Sequence, residues 1–128
     1  MLFRSSWTQL FRKIHDTYIP KLPYDGNVAY GMAAAYTFAQ ALKAAGRNPT
    51  RKSLVDAVEK GGFTGAGLVP FAYSKNSHAG YAGAQIGVIK GNTIVLSGKP
   101  MTTDDATGAI QPYTNPQPAA PANGIPPG

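Results

Sequence analysis

Large apolar groups recur at spacings of three and four from Trp7 through Leu10, Phe11, Ile14 and Tyr18, which puts them on one face of a helix. Ser5 or Ser6 can cap its start. Pro20 and Pro23 stop it, because neither has the N–H that a continuing ladder needs. A second helix is predicted over about 27–45, with Asp25 or Asn27 as its cap. Met32, Tyr36, Ala39 and Leu42 form its apolar stripe, while Ala29, Ala33, Ala34, Ala35, Ala41 and Ala44 keep it slim. Such a helix belongs against a sheet or another helix, and Gly46 closes it. Thr50 then caps a third helix running to Lys60, with Leu54, Val55 and Val58 inward. Its first turn holds Arg51 and Lys52, where the helix dipole prefers anions.

The texture changes at Gly61. Nine of the 15 glycines fall between Gly61 and Gly98, a density that argues for strands and tight turns. Leu68, Val69, Phe71 and Tyr73 suit a short strand, which Pro70 keeps irregular or at an edge. Gln85 to Lys90 and Thr93 to Leu96 flank Gly91-Asn92, a pair that suits a type II′ hairpin turn. Ile86 and Val88 share one face with Ile89 opposite, and Ile94 and Leu96 alternate with Val95 on the return strand. From Ala106 the pattern disappears. Six of the 11 prolines lie there with no charge and few large apolar groups, so this segment is expected to be extended or disordered unless a surface holds it. The chain therefore divides into a folded part, 1–105, and a proline-rich irregular tail, 106–128.

At 128 residues and 13.4 kDa the chain has room for one compact domain. Lys and Arg number 12 against 6 Asp and Glu, a net charge of +6, but the cations are scattered and form no dense stripe. Nucleic acid is accordingly not an expected partner. The absence of Cys excludes disulfides, thiolate-bound metal and thiol nucleophiles. No apolar run approaches the ~20 residues that cross a bilayer, so membrane insertion is not expected. Met1-Leu2-Phe3-Arg4 shows no secretory pattern.

Candidate chemistry is sparse. His15 lies at the edge of the first helix's apolar stripe, with no second metal-ligating residue at ligand spacing. His78, beside Ser77 in a polar stretch, reads as a turn histidine bonded to backbone. A Ser77/His78/Asp104 set lacks the nucleophile elbow that would support hydrolysis. Asp104-Asp105 lacks the alternating oxygens of a calcium loop, so no metal or other cofactor is expected. Gly61 to Gly67 lacks the phosphate-loop Lys-Ser/Thr and reads as a turn where backbone packs closely. Tyr24, Asp25 and Tyr30, near the start of the second helix, are the candidate ligand-binding residues.

The order of these features is more specific than any one of them. Trp7-Thr8-Gln9-Leu10-Phe11 is followed by Tyr30-Gly31-Met32-Ala33-Ala34-Ala35-Tyr36-Thr37-Phe38-Ala39-Gln40-Ala41-Leu42-Lys43-Ala44-Ala45-Gly46 and by Asn48-Pro49-Thr50-Arg51-Lys52-Ser53-Leu54-Val55. Phe63-Thr64-Gly65, Tyr73-Ser74, Ser77-His78-Ala79-Gly80 and Gln85-Ile86-Gly87-Val88-Ile89-Lys90-Gly91 complete the series. Together they resemble the C-terminal portion of the leucine/isoleucine/valine-binding family, the type I periplasmic solute-binding proteins of ABC importers. The resemblance covers about 7–100 and implies a partial α/β fold of this type: two to three helices, then a β-hairpin or terminal strands, then the irregular tail. It implies a non-enzymatic parent, periplasmic or extracellular, that captures branched-chain amino acids or similar small polar solutes between two lobes and delivers them to an ABC permease. The loops that recognise ammonium and carboxylate in that family have no counterpart here, so this portion is expected not to hold solute alone. Ser53 stands where the family places a helix-capping acid, which predicts a weakened cap. The alternative reading is an autonomous protein-interaction or self-associating module that uses its apolar helix and strand faces.

Overall fold

The computed structural model describes residues 5–81, 83–102 and 109–126. The opening residues Met1 to Arg4, the pair Asp104-Asp105 and the boundary at 105/106 lie outside the described residues. Helix α1, Ser6–Tyr18, starts where the Ser5 hydroxyl accepts from the Thr8 N–H at 3.1 Å. It ends short of Pro20, with the Ile19 N–H donating to the His15 carbonyl at 2.8 Å. Helix α2, Gly26–Ala45, is capped by Asp25, whose Oδ1 accepts from the N–H groups of Asn27 and Val28, each at 2.9 Å. Gly46 closes it at φ +94°, a conformation that side chains disfavour. Helix α3, Arg51–Lys60, corrects the expectation of a weakened cap. The Thr50 hydroxyl accepts from Ser53 N–H at 3.0 Å, and the Ser53 hydroxyl accepts from Thr50 N–H at 2.8 Å. A serine oxygen closes the box as an acid would.

The core lies where α1 crosses α2. Trp7, Phe11, Tyr36 and Ala66 are buried together, with Leu10, Tyr24, Met32, Ala33 and Ala120 packed around them. The Trp7 ring meets Tyr36 edge-on at 4.8 Å between centroids and Phe11 at 5.9 Å, geometries favoured by aromatic quadrupoles. Four side chains show where periodicity and burial part. His15 is buried in the α1 stripe while Tyr18 is exposed, and Val55 faces solvent while Ala57 is the buried residue of α3. Helix α3 is short and touches one neighbour, so only a narrow strip of it is covered.

The segment after α3 shows why the glycines cluster there. Gly65 is buried, and both of its peptide groups are satisfied by glutamines. Its N–H donates to Gln40 Oε1 at 2.9 Å, and its carbonyl accepts from Gln117 Nε2 at 2.9 Å. A Cβ on Gly67 would stand 2.5 Å from the Tyr81 ring. The strand expected around Leu68 to Tyr73 does not form. Val69 and Pro70 are buried, and only an isolated antiparallel bridge, Phe71 to Tyr81, remains of it, because Pro70 has no N–H for a ladder. Strand β1, Gly83–Ala84, pairs antiparallel with β4, Met101–Thr102, and β2, Gly87–Lys90, pairs antiparallel with β3, Thr93–Leu96. Gly91 turns this hairpin at φ +58°. The class is thus mixed α and β: three helices and a small antiparallel strand set. Among the described residues no strand packs across a helix, and the slim face of α2 leans on α3 and α1.

The tail runs back over α1, which is the surface that holds it. Pro118 carbonyl accepts from Trp7 Nε1–H at 2.7 Å, Ala120 N–H donates to Ser6 Oγ at 2.9 Å, and Lys43 Nζ donates to the Pro126 carbonyl at 2.6 Å. Nearer the strands, Thr102 N–H donates to Gln111 O at 2.7 Å and Tyr113 N–H to Pro100 O at 2.8 Å. Two outcomes follow. Trp7→Phe removes the indole donor and part of the core, and is expected to cost about 2 kcal/mol in urea unfolding, with amide exchange accelerating across 117–121. Gly67→Ala drives a methyl into Tyr81 and is expected to cost about 1–3 kcal/mol by the same measurement.

Candidate functional site

An open trough of about 510 Å³ runs along one side of α2. Helical spacing brings Ala34, Phe38 and Ala41 of α2 to one side of it, and Val58 of α3, Phe63 and Phe71 also line it. The alanines give it depth, since a larger side chain at Ala34 or Ala41 would occupy the trough. Tyr30 stands at the rim, 78% exposed. Besides the Tyr30 phenol at the rim, its polar side chains are Thr37 and Tyr81. Thr37 Oγ1–H donates to the Ala33 carbonyl at 2.8 Å, so the 3.2 Å contact between the two hydroxyls has Tyr81 as its donor. None of the described residues lining the trough carries a charge. Its chemistry is therefore that of an apolar receptor with one hydroxyl pair, suited to a hydrocarbon or aromatic group and unable to pair an ammonium or carboxylate.

A column of near-parallel rings backs the trough. Phe63 stacks on Phe71 at 5.4 Å, Phe71 on Tyr73 at 5.8 Å, and Tyr73 on His78 at 4.4 Å. His78 Nε2 also lies 3.5 Å from Glu59 Oε1 of α3. The expectation of a histidine bonded to turn backbone is thus corrected. The turn closes through Ser74 and Ser77 instead, whose backbone groups bond reciprocally at 2.9 and 3.3 Å. Asp104, the third member of the sequence's Ser/His/Asp set, lies outside the described residues. Among the described residues no three His, Asp or Glu side chains converge as a metal-ligand group.

The three candidate ligand residues are not brought together. Tyr30 is on the trough. Tyr24 lines a separate groove of about 440 Å³ between α1, the start of α2 and the tail, under the Arg12 guanidinium at 4.6 Å. Its ring meets His15 edge-on at 5.2 Å. Asp25 spends its Oδ1 capping α2. Burial pushes the Tyr24 phenol up, with Arg12 opposing and Asp16 reinforcing the shift. Tyr81 is one of the tyrosines whose amphipathic rings suit a cleft, whereas sequence reasoning passed over Thr37, Phe38 and Gln40. The legible signal was two polar residues, Thr37 and Gln40, three apart on an otherwise alanine-rich helix, a spacing that places them on one face.

Tyr36 is the buried phenol of the core, and its hydroxyl has no hydrogen-bond partner among the described residues. Burial alone pushes its pKa above the ordinary tyrosine value. The folded state thus holds the phenol neutral while the unfolded chain ionises it first, so this stabilisation is complete below about pH 10 and is lost as pH rises beyond. Tyr36→Phe is expected to be neutral or stabilising by about 1 kcal/mol at pH 7, and to flatten the alkaline fall in stability measured by urea unfolding. Compared with family models, with curated proteins and with solved structures, the chain matches none of them.

Proposed function

We propose that this chain is a portion of a solute-binding protein of the leucine/isoleucine/valine-binding type. The parent captures branched-chain amino acids or similar small polar solutes in the periplasm or outside the cell, performs no catalysis, and hands the solute to an ABC permease. The ordered series of motifs from Trp7 to Gly91 supports the family. The observation that carries the role of this portion is the uncharged trough along α2, over which no described strand packs. An apolar wall of that kind completes a site or a core only when further polypeptide supplies its other side. Tyr24, Asp25 and Tyr30 face different surroundings, which accords with a portion that does not hold solute alone.

One observation favours a second reading, self-association. Among the described residues, strands β2 and β3 pack on no other helix or strand, and their register puts Val88 opposite Val95 on one face and Ile89 opposite Ile94 on the other. Ile89 and Ile94 are 77% and 69% exposed. A two-stranded hairpin with two apolar faces and two open edges is marginal in isolation and pairs readily with another chain.

Calorimetry separates the two. The chain alone is expected to give no saturable heat with leucine, isoleucine or valine, and to gain it when joined to the N-terminal lobe segments of a solute-binding protein of this type. Saturable binding by the chain alone, or none after joining, overturns the first reading. For the second, Ile89→Lys with Ile94→Lys is expected to shift sedimentation from associated species to monomer at unchanged melting temperature, because neither side chain is buried.

A further inference from the structure

The surface of α1 reads an irregular, extended backbone. Trp7 Nε1–H donates to the Pro118 carbonyl at 2.7 Å, and the Ala120 N–H donates to Ser6 Oγ at 2.9 Å. Ala120 itself packs on the aromatic core. One residue before Pro118, Gln117 Nε2–H donates to the Gly65 carbonyl at 2.9 Å. Further along, Gly124 passes over Leu10 at φ +70°, and the Pro126 carbonyl accepts from Lys43 Nζ at 2.6 Å. Residues 116–121 form neither helix nor strand, so their backbone groups are left for side chains of the body to meet.

We propose that this surface is a seat for extended, uncharged, proline-rich segments of other polypeptides, and that the chain's own tail is its displaceable occupant. The tail has the composition of such a ligand. Pro116, Pro118 and Pro121 are interspersed with amide and small side chains, and no side chain beyond Asp105 is charged. Proline fixes φ and biases the residue before it towards extended backbone, so a segment of this kind is largely preformed and binds at low entropic cost. The seat matches it. Where the tail crosses α1, a groove of about 440 Å³ on one side places Phe11 and Tyr24 beside Pro118 and Ala119. On the other side, a groove of about 480 Å³ places Leu10 and Ile14 beside Ala120 and Pro121. Each proline removes an N–H and leaves a carbonyl, and an indole donor set between apolar grooves answers that chemistry.

The resident tail is lightly held. Its large apolar side chain, Ile125, is 58% exposed, and what ties 117–126 to the body is mostly single hydrogen bonds, each a modest net contribution. The rings of Trp7, Phe11 and Tyr36 pack on one another without it. An incoming segment competes with a tail tethered in cis, and a short connector gives that tail an effective concentration on the order of millimolar. A free segment of equal fit therefore displaces it at about millimolar concentration. Any change that loosens the tail and leaves the seat intact strengthens the seat for a partner.

The probe is an isotope-labelled peptide of the tail sequence 114–126, added to the unlabelled full chain, whose single tryptophan supplies one indole N–H signal. Nuclear Overhauser contacts are expected from that N–H to the peptide, with half-saturation at about millimolar peptide. Two tail changes leave the α1 seat untouched. Gly124→Ala sets a methyl 2.9 Å from Leu10 Cδ1 at a left-handed position, and Gln117→Ala deletes the bond to Gly65. Placed in the chain, each is expected to lower the half-saturation of the unchanged peptide severalfold, up to about tenfold, the effect of one lost contact. Placed in the peptide, each is expected to raise it by a similar factor. A tail that is only a fixed strap gives no such reversal. Absence of any contact between Trp7 and the peptide at several millimolar overturns the proposal. So does a half-saturation that Gly124→Ala in the chain leaves unmoved, or a scrambled peptide that binds equally well.

Discussion

The indole of Trp7 is where four parts of this chain are tied together. Its ring fills the crossing of α1 and α2 against Phe11 and Tyr36, with Ala66 from the glycine-rich loop in the same cluster. Its N–H reaches the Pro118 carbonyl and so anchors the tail. An indole does this because it combines a large apolar body with a single donor that must be satisfied when buried. The tail in turn brings Gln117 to the carbonyl of Gly65, completing a backbone group that Gln40 had half satisfied. Burying that loop thus depends on a segment far along the chain, and that segment is in turn tied to Trp7 and Ser6 near the start.

Around this centre the burial is incomplete. The core is a small aromatic cluster at one helix crossing, while the trough along α2 and both faces of the β2–β3 hairpin remain open. Hydrophobic stabilisation scales with apolar area removed from water. A surface of this kind therefore leaves apolar area in contact with water that adds nothing to the stability of the chain. The uncharged lining fits apolar packing better than direct recognition of a zwitterion.

Both histidines are drawn into structural duty by their surroundings. His15 is enclosed by a carboxylate, a carbonyl and a tyrosine edge, whereas His78 ends a ring column and leans towards Glu59. Neither environment was readable from neighbours in the sequence, because the decisive groups come from Leu22, Tyr24, Glu59 and Tyr73.

Local rules were enough to specify the local elements. Ser5, Asp25 and Thr50 as caps, Pro20 and Gly46 as stops, and Gly91 as the hairpin turn all act within a few residues, and helix and hairpin form where that chemistry places them. Even so, the serine reciprocating for Thr50 shows that an oxygen at the right position matters more than its charge. Periodicity also named the Trp7, Phe11 and Tyr36 faces correctly, but failed at Tyr18, Val55 and Ala57, where the extent of a neighbour decides what is covered. Only the tertiary structure determined that Gln40 and Gln117 bracket Gly65, that the proline-rich tail lies on α1, and that Tyr24, Asp25 and Tyr30 part company. Those contacts join residues dozens of positions apart, and their geometry follows from how whole elements pack rather than from the propensities of any one stretch.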